Sequence, residues 1–121
     1  MSILLLEPSE SPAVVSMLCR WLDERLTEAN VAGESVIVAA HHQAGRGAAR
    51  PTHLAWNWKE IRAAMVASKC VKLYLSGHDH MGGYLLDSGV HWITVEAMLE
   101  GALWMPKCCC LFLCSTSYAQ L

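Results

Sequence analysis

Charge of one sign, paired cysteine motifs and long apolar runs are all scarce in this chain. Nine Lys and Arg stand against eleven Asp and Glu, a net of −2, which excludes a general electrostatic pull toward nucleic acid or an acidic membrane face. Any phosphate contact must therefore be local. No stretch approaches the roughly eighteen apolar residues of a membrane span, and Met1 to Glu7 lacks the basic start and apolar length of a secretory leader. The cysteines are numerous, but four of the six are crowded at Cys108, Cys109, Cys110 and Cys114. Adjacent thiols do not readily pair with each other, so a secreted disulfide framework is not expected and a reducing, cytoplasmic setting is. No Cys-x-x-Cys faces a second pair at zinc-site spacing. With 121 residues there is material for one domain with a single core, and only 17% charged residues to clothe it.

The residues present alternate helix and strand. Ser11 to Asn30 is expected as an amphipathic helix, with Ser11 as its N-cap, Pro12 at the first helical position and Val15, Leu18, Leu22 and Leu26 on one face. Val36 to Ala40 is a short continuous apolar run, the pattern of a strand buried on both faces, and it ends in His41-His42. Gln43 to His53 is a loop carrying Gly45, Gly47 and Pro51. Its Arg46 and Arg50 are either phosphate donors or solvated side chains. Asn57 is placed as the cap of a second helix whose inward face is Ile61, Ala64, Met65 and Ser68, with Trp56 and Trp58 near its entry, where they either stack on a base or, the simpler reading, wedge the loop against the core. A strand from Val71 to Ser76 and another from Val90 to Leu99, after the turn Asp87-Ser88-Gly89, complete the order.

The chemistry is concentrated where the Val71 strand runs into Gly77-His78-Asp79-His80. A strand that ends in a glycine and two histidines delivers imidazoles to a sheet edge, and neutral imidazole is the commonest metal ligand. Gly77 is expected to permit the sharp exit, and Gly82-Gly83 to turn the chain away. The competing reading is a polar turn with two solvated rings. His41 alone is better explained as a partly buried structural histidine than as a ligand, and it gains weight from His78 and His80.

The strand before His41, the Leu54-Ala55-Trp56-Asn57 and Lys69-Cys70-Val71 segments, the Gly77-His78-x-His80 loop and Gly82-Gly83-Tyr84 together resemble the C-terminal portion of calcineurin-like metallophosphoesterases. More narrowly they are similar to the manganese-dependent ADP-ribose/CDP-alcohol diphosphatases, over residues 14 to 101. The resemblance implies an α/β fold, a partial metallophosphoesterase sandwich of sheet layers flanked by helices, in residues 1–103. Residues 104–121 then form a hydrophobic, cysteine-rich tail outside the family pattern. It implies His41 and His78 on one Mn2+ (or Zn2+ or another divalent ion) and His80 on its partner, with two ions about 4 Å apart acting on a phosphoryl group. A nucleoside-diphosphate-linked small molecule is the implied ligand, with Arg46 or Arg50 against a phosphate. The Asp-x-His, Gly-Asp-x-x-Asp and Gly-Asn-His motifs of complete members are absent from this sequence. The expectation is therefore a fragment without turnover of its own, with a non-catalytic metal-binding module or a truncated remnant as the alternative. Asp79 is the nearest substitute carboxylate, and a sheet missing its second layer is expected to self-associate.

Overall fold

The computed structural model describes residues 1–6 and 12–97. The expectations for the Ser11 cap, the 104–121 tail and its cysteines lie outside the described residues. In order, the elements are β1 (Ser2–Leu6), α1 (Pro12–Val31), β2 (Val36–Ala40), a 3-10 turn (Pro51–His53), α2 (Trp58–Ser68), β3 (Val71–Ser76), β4 (Gly83–Asp87) and β5 (Val90–Thr94). The strands form one sheet in the order β1-β2-β3-β5-β4. β1, β2, β3 and β5 run parallel, and β4 returns antiparallel to β5. Among the described residues no helix is long and apolar enough to cross a membrane.

Three features depart from the sequence expectation. β1 is a strand because its five residues pair in register with β2, whereas a run as short as Ser-Ile-Leu-Leu-Leu has no decisive period of its own. β5 stops at Thr94, although the Val95 amide still donates to the Ser76 carbonyl at 2.7 Å. Asn57 occupies the cap position of α2 without capping it, since its side-chain amide turns to the Cys19 sulfur at 3.6 Å.

The core lies on one face of the sheet. Leu22, Leu26 and Ala29 of α1 and Ile61 and Met65 of α2 join Val36, Val38, Tyr74 and Trp92 in a single buried cluster. A bulge in β3 makes this possible: Val36 is opposite Val71 but Ile37 is opposite Leu73, so Lys72 is unpaired. Val71 and Tyr74, three residues apart, then both reach the core, which strict alternation forbids. Tyr74 packs on Trp92 with ring centroids 5.2 Å apart.

The other face carries two apolar rows with no buried member. Ile3, Ile37, Leu73, His91 and Leu86 lie side by side across the five strands, and so do Leu5, Ala39, Leu75, Ile93 and Tyr84. Leu5, Tyr84 and Leu86 are each more than half exposed. Parallel sheets are normally covered on both sides, so this face is apolar in the manner of a layer that expects a neighbour.

Two glycines flank the His78–His80 loop with opposite tolerances. A β-carbon on Gly83 would lie 2.3 Å from the Ala48 carbonyl oxygen, whereas one on Gly77 would meet nothing within 4 Å. Gly83→Ala is expected to lower stability by about 2 kcal/mol or more, and Gly77→Ala to leave it within about 0.5 kcal/mol, as read from urea midpoints at constant slope.

Candidate metal centre

The register of β2 with β3 determines which side chains meet. Ala40 lies opposite Ser76, and the Gly77 amide donates to the His41 carbonyl at 3.2 Å, so both strands end together at the carboxyl edge. There the His41 Nε2 is 3.1 Å from the His78 Nδ1. His78 itself adopts a left-handed backbone, φ +62°, while Gly77 does not. The sharp exit expected of Gly77 is made by the histidine, one of the few side chains that tolerate that region.

His42 joins this pair. The chain bends at residues 41 and 42, so successive side chains no longer alternate, and the His42 ring centroid is 4.7 Å from that of His41 and 4.0 Å from that of His78. Ligand nitrogens of His41, His42 and His78 all lie within 4.8 Å of one another. His80 is exposed and outside that group. His53 stands beside it, ring centroid 5.2 Å from His78, with Nε2 facing the Arg50 Nη2 and Nδ1 facing the Thr52 hydroxyl.

Neutral rings are a condition for ligation. Burial, then the neighbouring His78, His41 and His53, hold the His42 pKa below the usual imidazole value. Burial, then His41 and His53, does the same for His78, against the opposing pull of Asp79. Both rings thus favour the unprotonated form at neutral pH.

Asp79 is unsuited to the ligand role that a nearby carboxylate invites. It is 1% exposed, and its oxygens accept from the Arg50 backbone amide at 2.7 Å, the Arg50 Nε and Nη2 at 3.0 and 2.7 Å, and the Met81 amide at 3.2 Å. Arg50 in turn commits its Nε and Nη2 to this carboxylate, so its guanidinium holds the loop while the side chain stays about half exposed. Arg46 is exposed on the same loop. Trp58 packs partly on the core, but Trp56 is 79% exposed, contrary to the packing expected of it. An open cleft of about 420 Å3 passes between Trp56, Trp58, Leu54, His42 and His78.

Gln43 is the residue that composition and spacing did not single out. It is fully buried, donates to the Ser76 and Thr94 hydroxyls at 3.0 and 3.1 Å, and accepts from the Ala44 and Gly45 amides at 3.0 Å each. One side chain therefore ties the ends of β3 and β5 to the loop after β2. Its position directly after two histidines at a strand end was the available signal.

As for fit to a metal, three imidazoles at one edge suit a divalent ion, and the group contains no carboxylate. The sequence matches proteins named manganese-dependent ADP-ribose/CDP-alcohol diphosphatase: 42% identical over 81 residues in Oryza sativa subsp. japonica, 43% over 82 in Arabidopsis thaliana and 34% over 83 in Homo sapiens. These alignments take in 66%, 67% and 68% of the chain and 25%, 26% and 24% of the respective relatives, so the chain spans about a quarter of the length of the relatives it matches. A solved dimetal phosphatase from Danio rerio superposes with a TM-score of 0.65 at 34% identity, over 66% of this chain and 26% of that one. No family model matches.

Asp79 carries a pH prediction. The Arg50 side chain, aided by the two backbone amides and opposed by burial, holds its carboxyl well below the usual carboxylate range. A depressed folded pKa contributes stability that is present above about pH 4 and lost as the pH falls below it. Asp79→Asn is expected to cost about 2–3 kcal/mol at pH 7, and the gap from the parent is expected to narrow on acidification toward pH 2.5, as followed by chemical denaturation across that range.

Proposed function

We propose, from the premise that this chain is a relative of the manganese-dependent ADP-ribose/CDP-alcohol diphosphatases and carries a partial metallophosphoesterase fold, that it binds a divalent metal and a nucleoside-diphosphate-linked small molecule at the His78 edge. The observation that carries the reading is the approach of His41 and His78 to 3.1 Å at the carboxyl ends of adjacent parallel strands. Mn2+ is the ion the kinship implies, held by His41 and His78. When bound, such an ion supplies positive charge against phosphoryl oxygens. Trp56 in the cleft beside His78 offers a face for a nucleobase, and Arg46 a cation for a phosphate.

Hydrolysis at the pyrophosphate is the reaction class of the kin, and turnover in this chain is proposed to be absent. The imidazole group brings no carboxylate to the ions, and Asp79 is already engaged. The chain is then a metal-binding, catalytically silent portion of the fold, placed in the reducing cytoplasm, where the unpaired thiols of Cys19 and Cys70 are stable.

Calorimetric titration of ADP-ribose in Mn2+ buffer tests this. Saturable binding is expected, lost in His78→Ala and weakened about tenfold in Trp56→Ala, with no AMP release above the His78→Ala control. Absence of Mn2+-dependent binding sinks the reading, and metal-dependent AMP release would assign turnover to the chain itself.

The two uncovered rows of the sheet support self-association as a second property. Two such faces stack about 10 Å apart in a β-sandwich, which removes Leu5, Tyr84 and Leu86 from water. Sedimentation is expected to show a dimer or larger species, and a Leu5→Lys/Leu86→Lys variant a monomer. A monomeric parent at tens of micromolar would remove the proposal.

A further inference from the structure

We infer that His41, His42 and His78 form a one-ion site of nitrogen ligands, selective for Zn2+ over Mn2+, in which His42, and not His80, is the third imidazole. The argument is geometric and does not rest on ADP-ribose binding. A tetrahedral ion with bonds of about 2.0–2.1 Å to imidazole separates its ligand nitrogens by about 3.4 Å. The His41 Nε2 and His78 Nδ1 already stand at 3.1 Å, and the nitrogens of all three rings fall within 4.8 Å. Small ring rotations close that set, whereas His80 is not a member of it.

Three elements hold the rings in place. The His42 carbonyl accepts from the buried Tyr74 hydroxyl at 3.0 Å, the His41 carbonyl accepts from the Gly77 amide, and the residue after His78 is anchored by Arg50. His53 is excluded from the set by its own partners. Its Nε2 stands 3.3 Å from the Arg50 Nη2 and its Nδ1 2.9 Å from the Thr52 hydroxyl, so both ring nitrogens already have partners. The cleft reaches both His42 and His78, which leaves a fourth position open to a ligand from solvent.

The donor chemistry decides the metal. Mn2+ favours oxygen ligands, while imidazole suits Zn2+, and the one carboxylate within the loop is locked to Arg50. Zn2+ outcompetes Mn2+ on almost any nitrogen set, so the discriminating residue pair is His42 and His80.

The test is metal titration of the full chain by chelator competition, with Co2+ as a spectroscopic probe. Thiolate ligation gives Co2+ a near-ultraviolet charge-transfer band that imidazole ligation lacks, which separates this site from the cysteines. One ion per chain is expected in the band-free population, weakened at least about tenfold in His42→Ala and His42→Gln and unchanged in His80→Ala, with Mn2+ at least about a hundredfold weaker. Denaturation midpoints of each variant establish that they fold. Equal losses in His80→Ala and His42→Ala, a second band-free ion, or Mn2+ binding as tight as Zn2+ would each overturn the inference. Loss of ADP-ribose binding with the Zn2+ site intact would instead count against the proposed function alone.

Discussion

Ala40 sits opposite Ser76, and everything at the candidate centre follows from that pairing. Parallel neighbours end on the same edge, so the residue after each strand is delivered to a common place. A slip of one residue would reverse every side chain of β3, exposing Tyr74 and burying Leu73 and Leu75 among the helices. The bulge at Lys72 lets Val71 at one end and Tyr74 and Ser76 at the other serve the same core. Burial of Tyr74 against Trp92 and under the His42 carbonyl then couples the hydrophobic register directly to the position of the imidazoles.

Around that edge, polar groups do structural work that charge counting alone does not reveal. Gln43 joins two strand ends and its own loop through four hydrogen bonds, and the Thr94 hydroxyl it reaches donates onward to the Ala48 carbonyl at 2.6 Å. Asp79 and Arg50 tie the same loop to the turn after β3. Buried polar networks with every member satisfied are rigid, because breaking one bond leaves an unpaired group in a low-dielectric interior. The acidic residue of the Gly-His-Asp-His loop therefore holds the loop that carries the histidines. The clustered groups at that edge are imidazoles.

The sheet is chemically two-sided in a way that matters for any account of the chain. One face is closed by α1, α2 and the 43–50 loop, and the other presents two apolar rows to solvent. The relatives are about four times as long as the region matched, and the solved dimetal phosphatase is likewise matched over about a quarter of its length. An apolar outer face on a mostly parallel sheet is the kind of surface that layered folds pack against a neighbouring layer.

Local pattern was enough to reveal the helices, the strands at Val36 and Val71, and the strand-then-histidine delivery of His41 and His78, because hydrophobic period and strand-end placement are short-range properties. It also carried the kinship, since the Gly77-His78-x-His80 wording is written in adjacent residues. Which histidine stands third depended on a backbone bend at residues 41 and 42, and the fate of Asp79 depended on an arginine twenty-nine residues earlier in the chain. The same holds for Gln43, whose partners come from β3, β5 and its own loop. Contacts of that range are decided when strands assemble, by burial and hydrogen-bond satisfaction acting across the sheet, and no window of neighbouring residues contains them.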